Sequence, residues 1–370
     1  MSTVWIPRRY IVTWLLLFTQ ISAFSANNND NNQNGDNNAK EVIEVEEAPE
    51  SISRRNLLTW PIGIGGAVVY GKLLSSSLEK LSRGDSVFPD DHERRVRMVL
   101  STSLQASAQG LMMTNHRIIA NDQSPLADAP PSPSSPRPFR VLEVGIGNEW
   151  RLARRGLYGD GLQELRRMGI RDLDVTGVDL VTPKEAVLKQ ARDKMQALVA
   201  ATGEVGEQPA LRVNLHAIKG SITAKLNDYP NGYFDAVICS LTLCSVDDQT
   251  AALAEIHRLM RSSGGTFGYL EHVAVDDDEP YSFLEVQQKV LDPLQQALAD
   301  NCHLHRYTDE TIAEEFRLPQ DNDNDNDNDN ASQLLTSSSS SSSYLLHERF
   351  LVDGMWPISC QCCGVIQQRM

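Results

Sequence analysis

The strongest constraint in this chain begins at Phe139. From there, short apolar runs alternate with helical stretches, and the first run, VLEVGIGNEW (141–150), turns straight into Gly145 and Gly147. Runs at 140–145, 174–179, 211–217, 234–240 and 266–272 read as strands, and 162–168, 184–201, 249–260 and 283–299 as helices. A helix between two strands returns the chain to the same edge, so the strands lie parallel with helices on both faces. The tail breaks this rhythm. Two apolar runs, 345–352 and 358–366, flank Asp353-Gly354 and predict an antiparallel hairpin. The expected fold is therefore α/β, a mostly parallel Rossmann-like sheet closed by a C-terminal antiparallel hairpin.

The remaining 138 residues and one internal stretch read differently. Arg8 and Arg9 precede an apolar run at 10–24 and the small residues Ser25 and Ala26, so 1–26 resembles a secretory signal. The run is short for a membrane span, and an uncleaved anchor stays open as an alternative. Ser22-Ala-Phe24 also resembles the cleavage region of a plastid signal, although the acidic, Asn-rich linker at 27–56 argues against a transit peptide. Behind Arg54 and Arg55, residues 57–74 carry Lys72 as their only charge and read as an apolar, membrane-associated segment. Residues 90–122 form a helical N-terminal extension with Val96, Val99, Leu100, Leu104 and Leu111 near helical spacing. A Pro/Ser linker at 123–138 then bounds the main domain, 139–370. Within it, 320–343 is an Asp-Asn and serine insertion expected to be disordered.

A net charge of −15 and a pI near 5.0 disfavour a nucleic-acid partner, whose phosphates need a basic face. Six scattered cysteines are too few for a disulfide framework and read as reduced and structural. Cys360, Cys362 and Cys363 lack a partner motif for zinc, and no metal site is expected.

Three motifs carry chemistry. Gly145 and Gly147 let the backbone bend sharply and approach a ligand where a side chain would collide. Glu143, inside an apolar strand, needs a polar partner. Asp179 ends the second strand, where a carboxylate accepts both ribose hydroxyls of an adenosine group. Ser240 and Leu241 fall at the C-terminal end of the fourth strand, where open α/β sheets bind ligands.

Glu143 to Gly147, Asp179, Phe234-Asp-Ala-Val237 and the run from Glu255 to Gly265 together resemble the class I S-adenosylmethionine-dependent methyltransferases. CSLTLCSV (239–246), GGTFGYLEHV (264–273) and QKVLDP (288–293) resemble, more narrowly, the methyltransferase-like protein 7 family of thiol S-methyltransferases. The resemblance covers roughly 141–316. It implies the class I methyltransferase fold and S-adenosyl-L-methionine as cofactor. Glu143, Gly145, Gly147, Asp179, Leu180, Ser221, Ile222, Ser240 and Leu241 would hold that cofactor, with Glu143 near its amino group. It implies a small apolar methyl acceptor, a thiol by analogy, and membrane association at the endoplasmic reticulum or a plastid. A quinone or lipid acceptor is the alternative, as is a scaffold that binds the cofactor without catalysis. Glu271 and His272, at the end of the fifth strand, are the candidate catalytic pair, unless they only pack.

Three departures matter. Glu149 stands where the family has a third glycine, and its charge would repel the cofactor's carboxylate. About twenty extra residues at 151–173 bring Arg151, Arg154 and Arg155. Ser221 and Ile222 replace the usual acidic residue after the third strand. A nicotinamide enzyme is disfavoured because Trp150 occupies the third glycine position of G-x-G-x-x-G.

Overall fold

A computed structural model describes residues 72, 88–121, 137–201, 211–276, 279–318 and 342–369, which fall in one compact unit, Gly63–Met370. The signal-like segment 1–26, the linker 27–56 and, apart from residues 72, 137–138 and 342–343, the stretches 57–74, 123–138 and 320–343 lie outside the described residues. Among the described residues, no helix is long and apolar enough to cross a membrane.

The described chain runs α1 (Asp90–Asn121), β1 (Phe139–Val144), α2 (Arg151–Arg154), α3 (Gly159–Arg167), β2 (Asp172–Asp179), α4 (Glu185–Ala201), β3 (Arg212–Lys219), α5 (Ile222–Lys225) and β4 (Ala236–Ser240). A 3-10 turn (Leu243–Ser245) follows, then α6 (Gln249–Leu259), β5 (Thr266–His272), α7 (Ser282–Leu298), α8 (Thr308–Glu315), β6 (Ser342–Leu351) and β7 (Cys360–Gln368). The strands form one sheet in the order β3-β2-β1-β4-β5-β7-β6. The first five are parallel. β7 inserts antiparallel between β5 and β6. The order reverses direction at β1, so β1 and β4 open a crevice at their C-terminal ends.

Burial follows position in the sheet. Central β5 is buried along its whole length, as a strand covered on both faces must be. Edge strand β3 alternates exposed and buried over its first five residues, Arg212 to His216. The C-terminal hairpin appears as expected, although β6 starts earlier than its apolar run and a bulge between Tyr344 and Leu346 shifts its register.

The N-terminal helix departs from the expected organisation. The sequence placed 90–122 outside the domain, before a linker. Instead, Val96, Val99, Leu100 and Leu104 of α1 are buried in the same core cluster as Val141, Ile238 and Val365. Ser103 Oγ lies 2.7 Å from Thr266 Oγ1, and the Ser107 hydroxyl donates to the Asp235 carbonyl. The domain's core thus begins before the linker.

Asp235 anchors the end of the sheet where β4 begins. It is fully buried, takes two bonds from Arg137 (2.8 and 2.7 Å) and accepts from the Arg140 amide at 2.9 Å. Arg261 stands 3.5 Å away. Removing one partner of a buried ion pair strands the other charge. Asp235→Ala should therefore cost roughly 3 kcal/mol of stability in urea denaturation. A loss under about 1 kcal/mol, the range of an exposed pair, would show that this anchor is not needed.

Candidate active site

The site is built at the C-terminal ends of the parallel strands. Gly145 leaves β1 at φ +81, and its amide donates to the Val178 carbonyl at 2.9 Å. A Cβ on Gly145 would fall 1.7 Å from Thr242 Oγ1, so the loop after β4 packs directly on the turn. Gly147 differs. It also has positive φ, at +60, but an added Cβ would meet nothing within 4 Å. That glycine faces open space, the condition for a ligand to approach the backbone.

Asp179 closes the turn from the neighbouring strand. Its Oδ2 accepts from the Gly147 amide and its Oδ1 from the Val181 amide, both at 2.9 Å. Each oxygen has a second lone pair free for a ligand hydroxyl. Leu180, next in the chain, is 67% exposed, an apolar surface beside that carboxylate. The Gly220 amide donates to the Asp179 carbonyl at 2.7 Å, which brings Ser221 to the same edge. Ser221 caps α5 by accepting from the Thr223 amide at 3.3 Å. Ile222, by contrast, is 5% exposed and packs in the core with Val178 and Leu226. Its side chain belongs to the core, which leaves its backbone to face the edge that Ser221 occupies.

Glu143 finds its partners in the inserted segment. Its Oε2 accepts from Trp150 Nε1 at 2.9 Å and from the Tyr158 hydroxyl at 2.7 Å. Burial pushes this carboxyl from an ordinary 4.5 up to about 7, against those two bonds and the nearby Arg151 charge. Trp150 adopts left-handed backbone at φ 40 and is fully buried, so the residue at the third glycine position serves Glu143 and the core. The Glu149 carboxylate is ion-paired with Arg154. Its charge is thereby offset by the helix that follows the turn.

The candidate catalytic pair is turned inward. Glu271 is fully buried and accepts from the Thr242 amide (3.0 Å to each oxygen), the Cys244 amide (3.4 Å) and Cys239 Sγ (3.3 Å). It latches the loop after β4 to β5. Burial raises its carboxyl above the ordinary value despite those amides. His272 is also buried, with Nε2 2.6 Å from the His303 carbonyl and Cys302 Sγ 3.9 Å from Nδ1. Both side chains are buried, and the bonds they make hold the loop after β4 and the segment after α7.

Three contributors were not foreseen. Arg151 Nη2 donates to Ser240 Oγ at 3.1 Å, and its guanidinium lies over the Phe88 ring at 4.1 Å. His92, from the first turn of α1, stacks on Phe88 at 4.8 Å and bonds Gln361 of β7 at 2.9 Å. The start of α1 therefore stands beside the ends of β4 and β7. Burial lowers Arg151 to about 10, so it remains a cation at neutral pH. The arginines of 151–155 were visible in the sequence, but nothing local tied them to α1 or to Ser240. Leu241 leaves β4 at φ 52. A surface depression lined by Asn231, His257, Met260 and Gln368 lies at the opposite end of the sheet.

Residues 156–267 match the family described as methyltransferase domain. The strand order, with its antiparallel seventh strand between the fifth and sixth, agrees. Over that segment the chain is similar to the methyltransferase domain family. Human thiol S-methyltransferase TMT1A is 40% identical over 81 residues, 22% of this chain and 32% of that protein. Human thiol S-methyltransferase TMT1B is 39% identical over 79 residues, 21% of this chain and 30% of that protein. The matches thus span about a third of the length of these relatives. The solved structure of a SAM-dependent methyltransferase from Methanosarcina mazei superposes with a TM-score of 0.34 at 10% identity, covering 63% of this chain and 93% of that one. The residues at the ends of β1 and β2 fit S-adenosylmethionine: an open glycine turn adjoins a carboxylate with unused lone pairs.

A pH dependence follows from Glu143. Its folded carboxyl binds a proton more tightly than the unfolded chain's, so stability falls as pH rises from about 4.5 to about 7. Between pH 4.5 and 8 the wild type should lose on the order of 3 kcal/mol more than Glu143→Gln in urea denaturation. Parallel curves for the two proteins would mean that Glu143 is already ionised in the fold.

Proposed function

We propose that this chain is an S-adenosylmethionine-dependent methyltransferase for a small apolar acceptor, with a thiol as the favoured class. The observation that carries the reading is the open space at Gly147 beside the Asp179 carboxylate, at the point where the strand order reverses. When bound, the cofactor supplies a methyl group already activated on a sulfonium.

The chain's own residues then position and exclude water. Asp179 accepts the ribose hydroxyls, and Leu180 offers its exposed side chain to the adenine, with Ser221 at the same edge. Glu143 uses Oε1, which none of its recorded bonds occupies, to receive the cofactor's amino group. Ser240 and Leu241, fixed by the Glu271 latch, border the reacting end. A thiol reacts as thiolate, so the site needs a cation. Arg151, hydrogen-bonded to Ser240 and stacked on Phe88, supports that role. The printed names of the two human relatives favour the same acceptor class. Membrane association remains part of this proposal, resting on the apolar runs at 10–24 and 57–74.

Labelled cofactor and a panel of thiols, phenols and quinones test the reading. Methyl transfer should appear in the thiols. Label appearing only in quinones would move the assignment to that class, and binding without transfer would leave a scaffold. Asp179→Ala should weaken cofactor binding tenfold or more, since each charge-assisted bond contributes about 1.5–3 kcal/mol. Arg151→Met should move the rising limb of the pH–rate profile toward the free thiol's own pKa. An unmoved profile would remove Arg151 from thiolate stabilisation.

A further inference from the structure

Cys244, His272 and Cys302 converge from three separate places in the fold. Cys244 lies in the 3-10 turn after β4, His272 ends β5, and Cys302 follows α7. All three are buried, and their donor atoms lie within 4.8 Å of one another. We propose that these residues bind one zinc ion, a site separate from the cofactor cradle at Gly147 and Asp179.

The spacing fits tetrahedral zinc. Sulfurs about 2.3 Å from a central ion stand about 3.8 Å apart, and a sulfur and a nitrogen slightly less. Cys244 Sγ and Cys302 Sγ are 4.0 Å apart, and Cys302 Sγ is 3.9 Å from His272 Nδ1 and 3.8 Å from Nε2, so the imidazole turns to aim Nδ1 at a shared ion. The histidine is also set in the required tautomer. Its Nε2 lies 2.6 Å from the His303 carbonyl, so that nitrogen carries the proton and Nδ1 presents a lone pair. A metal-binding histidine is oriented in this way by a carbonyl behind it. Donors also face the sulfurs: Gln295 Nε2 is 3.4 Å from Cys302 Sγ, and Ser245 Oγ is 3.7 Å from Cys244 Sγ. Such groups stabilise coordinating thiolates. Two thiolates, a neutral imidazole and a divalent cation sum to zero charge, which suits a buried location.

Cys360, Cys362 and Cys363 do not form a comparable group. Strand alternation sends Cys363 into one core cluster and Cys360 and Cys362 into the other, across the sheet. The ion would join the loop after β4 to β5 and to the segment after α7, adding to the Glu271 latch on that loop. Binding would displace a proton from each cysteine thiol, and the fourth position is left to water or another small ligand.

The test uses the full chain, freed of any affinity tag and purified reduced without chelator. Elemental analysis should find about one zinc per chain. Cobalt exchanged for zinc should give the intense thiolate-to-metal absorption and the visible bands of a tetrahedral site. Cys302→Ser should lose the metal, whereas Cys363→Ser should keep it. Wild-type protein that holds no zinc after zinc is added and dialysed away would overturn the proposal. So would cobalt spectra without thiolate bands, or a Cys244–Cys302 disulfide as the resting state. The wild-type measurements stand even if Cys302→Ser fails to fold.

Discussion

One carboxylate ties the site together. Asp179 accepts from the Gly147 amide on one oxygen and from the Val181 amide on the other. The tip of β2 thereby holds the turn leaving β1 in its left-handed shape. Without that tie, two positive-φ residues in sequence would be free to take other conformations. The open space at Gly147 exists because this bond sets the turn and because no atom of the described residues, its chain neighbours aside, lies within 4 Å of a Cβ placed there.

A second carboxylate does similar work one strand further along. Glu271 reaches from β5 to the amides of Thr242 and Cys244 and fixes the loop that packs on Gly145. Two loops at the open end of the sheet are therefore held by acids on adjacent elements. At Glu271 burial strengthens the tie, because backbone amides bind a carboxylate far more firmly away from water.

Much of the fold was legible before any coordinates. The parallel strands betray themselves as continuous apolar runs because both their faces are covered, and Asp353-Gly354 marks the closing hairpin. The bend at Gly145 and Gly147 and the place of Asp179 at the end of β2 were readable because they follow from backbone shape and strand position, which are local properties. Glu143 was readable as a buried acid in need of partners, yet those partners, Trp150 and Tyr158, were not. The membership of α1 in the core was hidden by the Pro/Ser stretch that separates it in sequence. Arg151 was hidden because its meaning depends on Phe88 and Ser240, each about sixty to ninety residues away. The burial of the Ile222 and Glu271 side chains was hidden for the same reason: residue type and strand end were known, but not the direction of the side chain.

The central claim is that the empty space at Gly147 belongs to the cofactor. The most direct measurement is calorimetric titration of S-adenosylhomocysteine into the wild type and Gly147→Ala. The new methyl group meets no protein atom, and its positive φ costs about 1 kcal/mol, so the variant folds. The account predicts binding by the wild type and a loss of tenfold or more in the variant. Equal affinity in the two proteins, or no binding by the wild type, would contradict it.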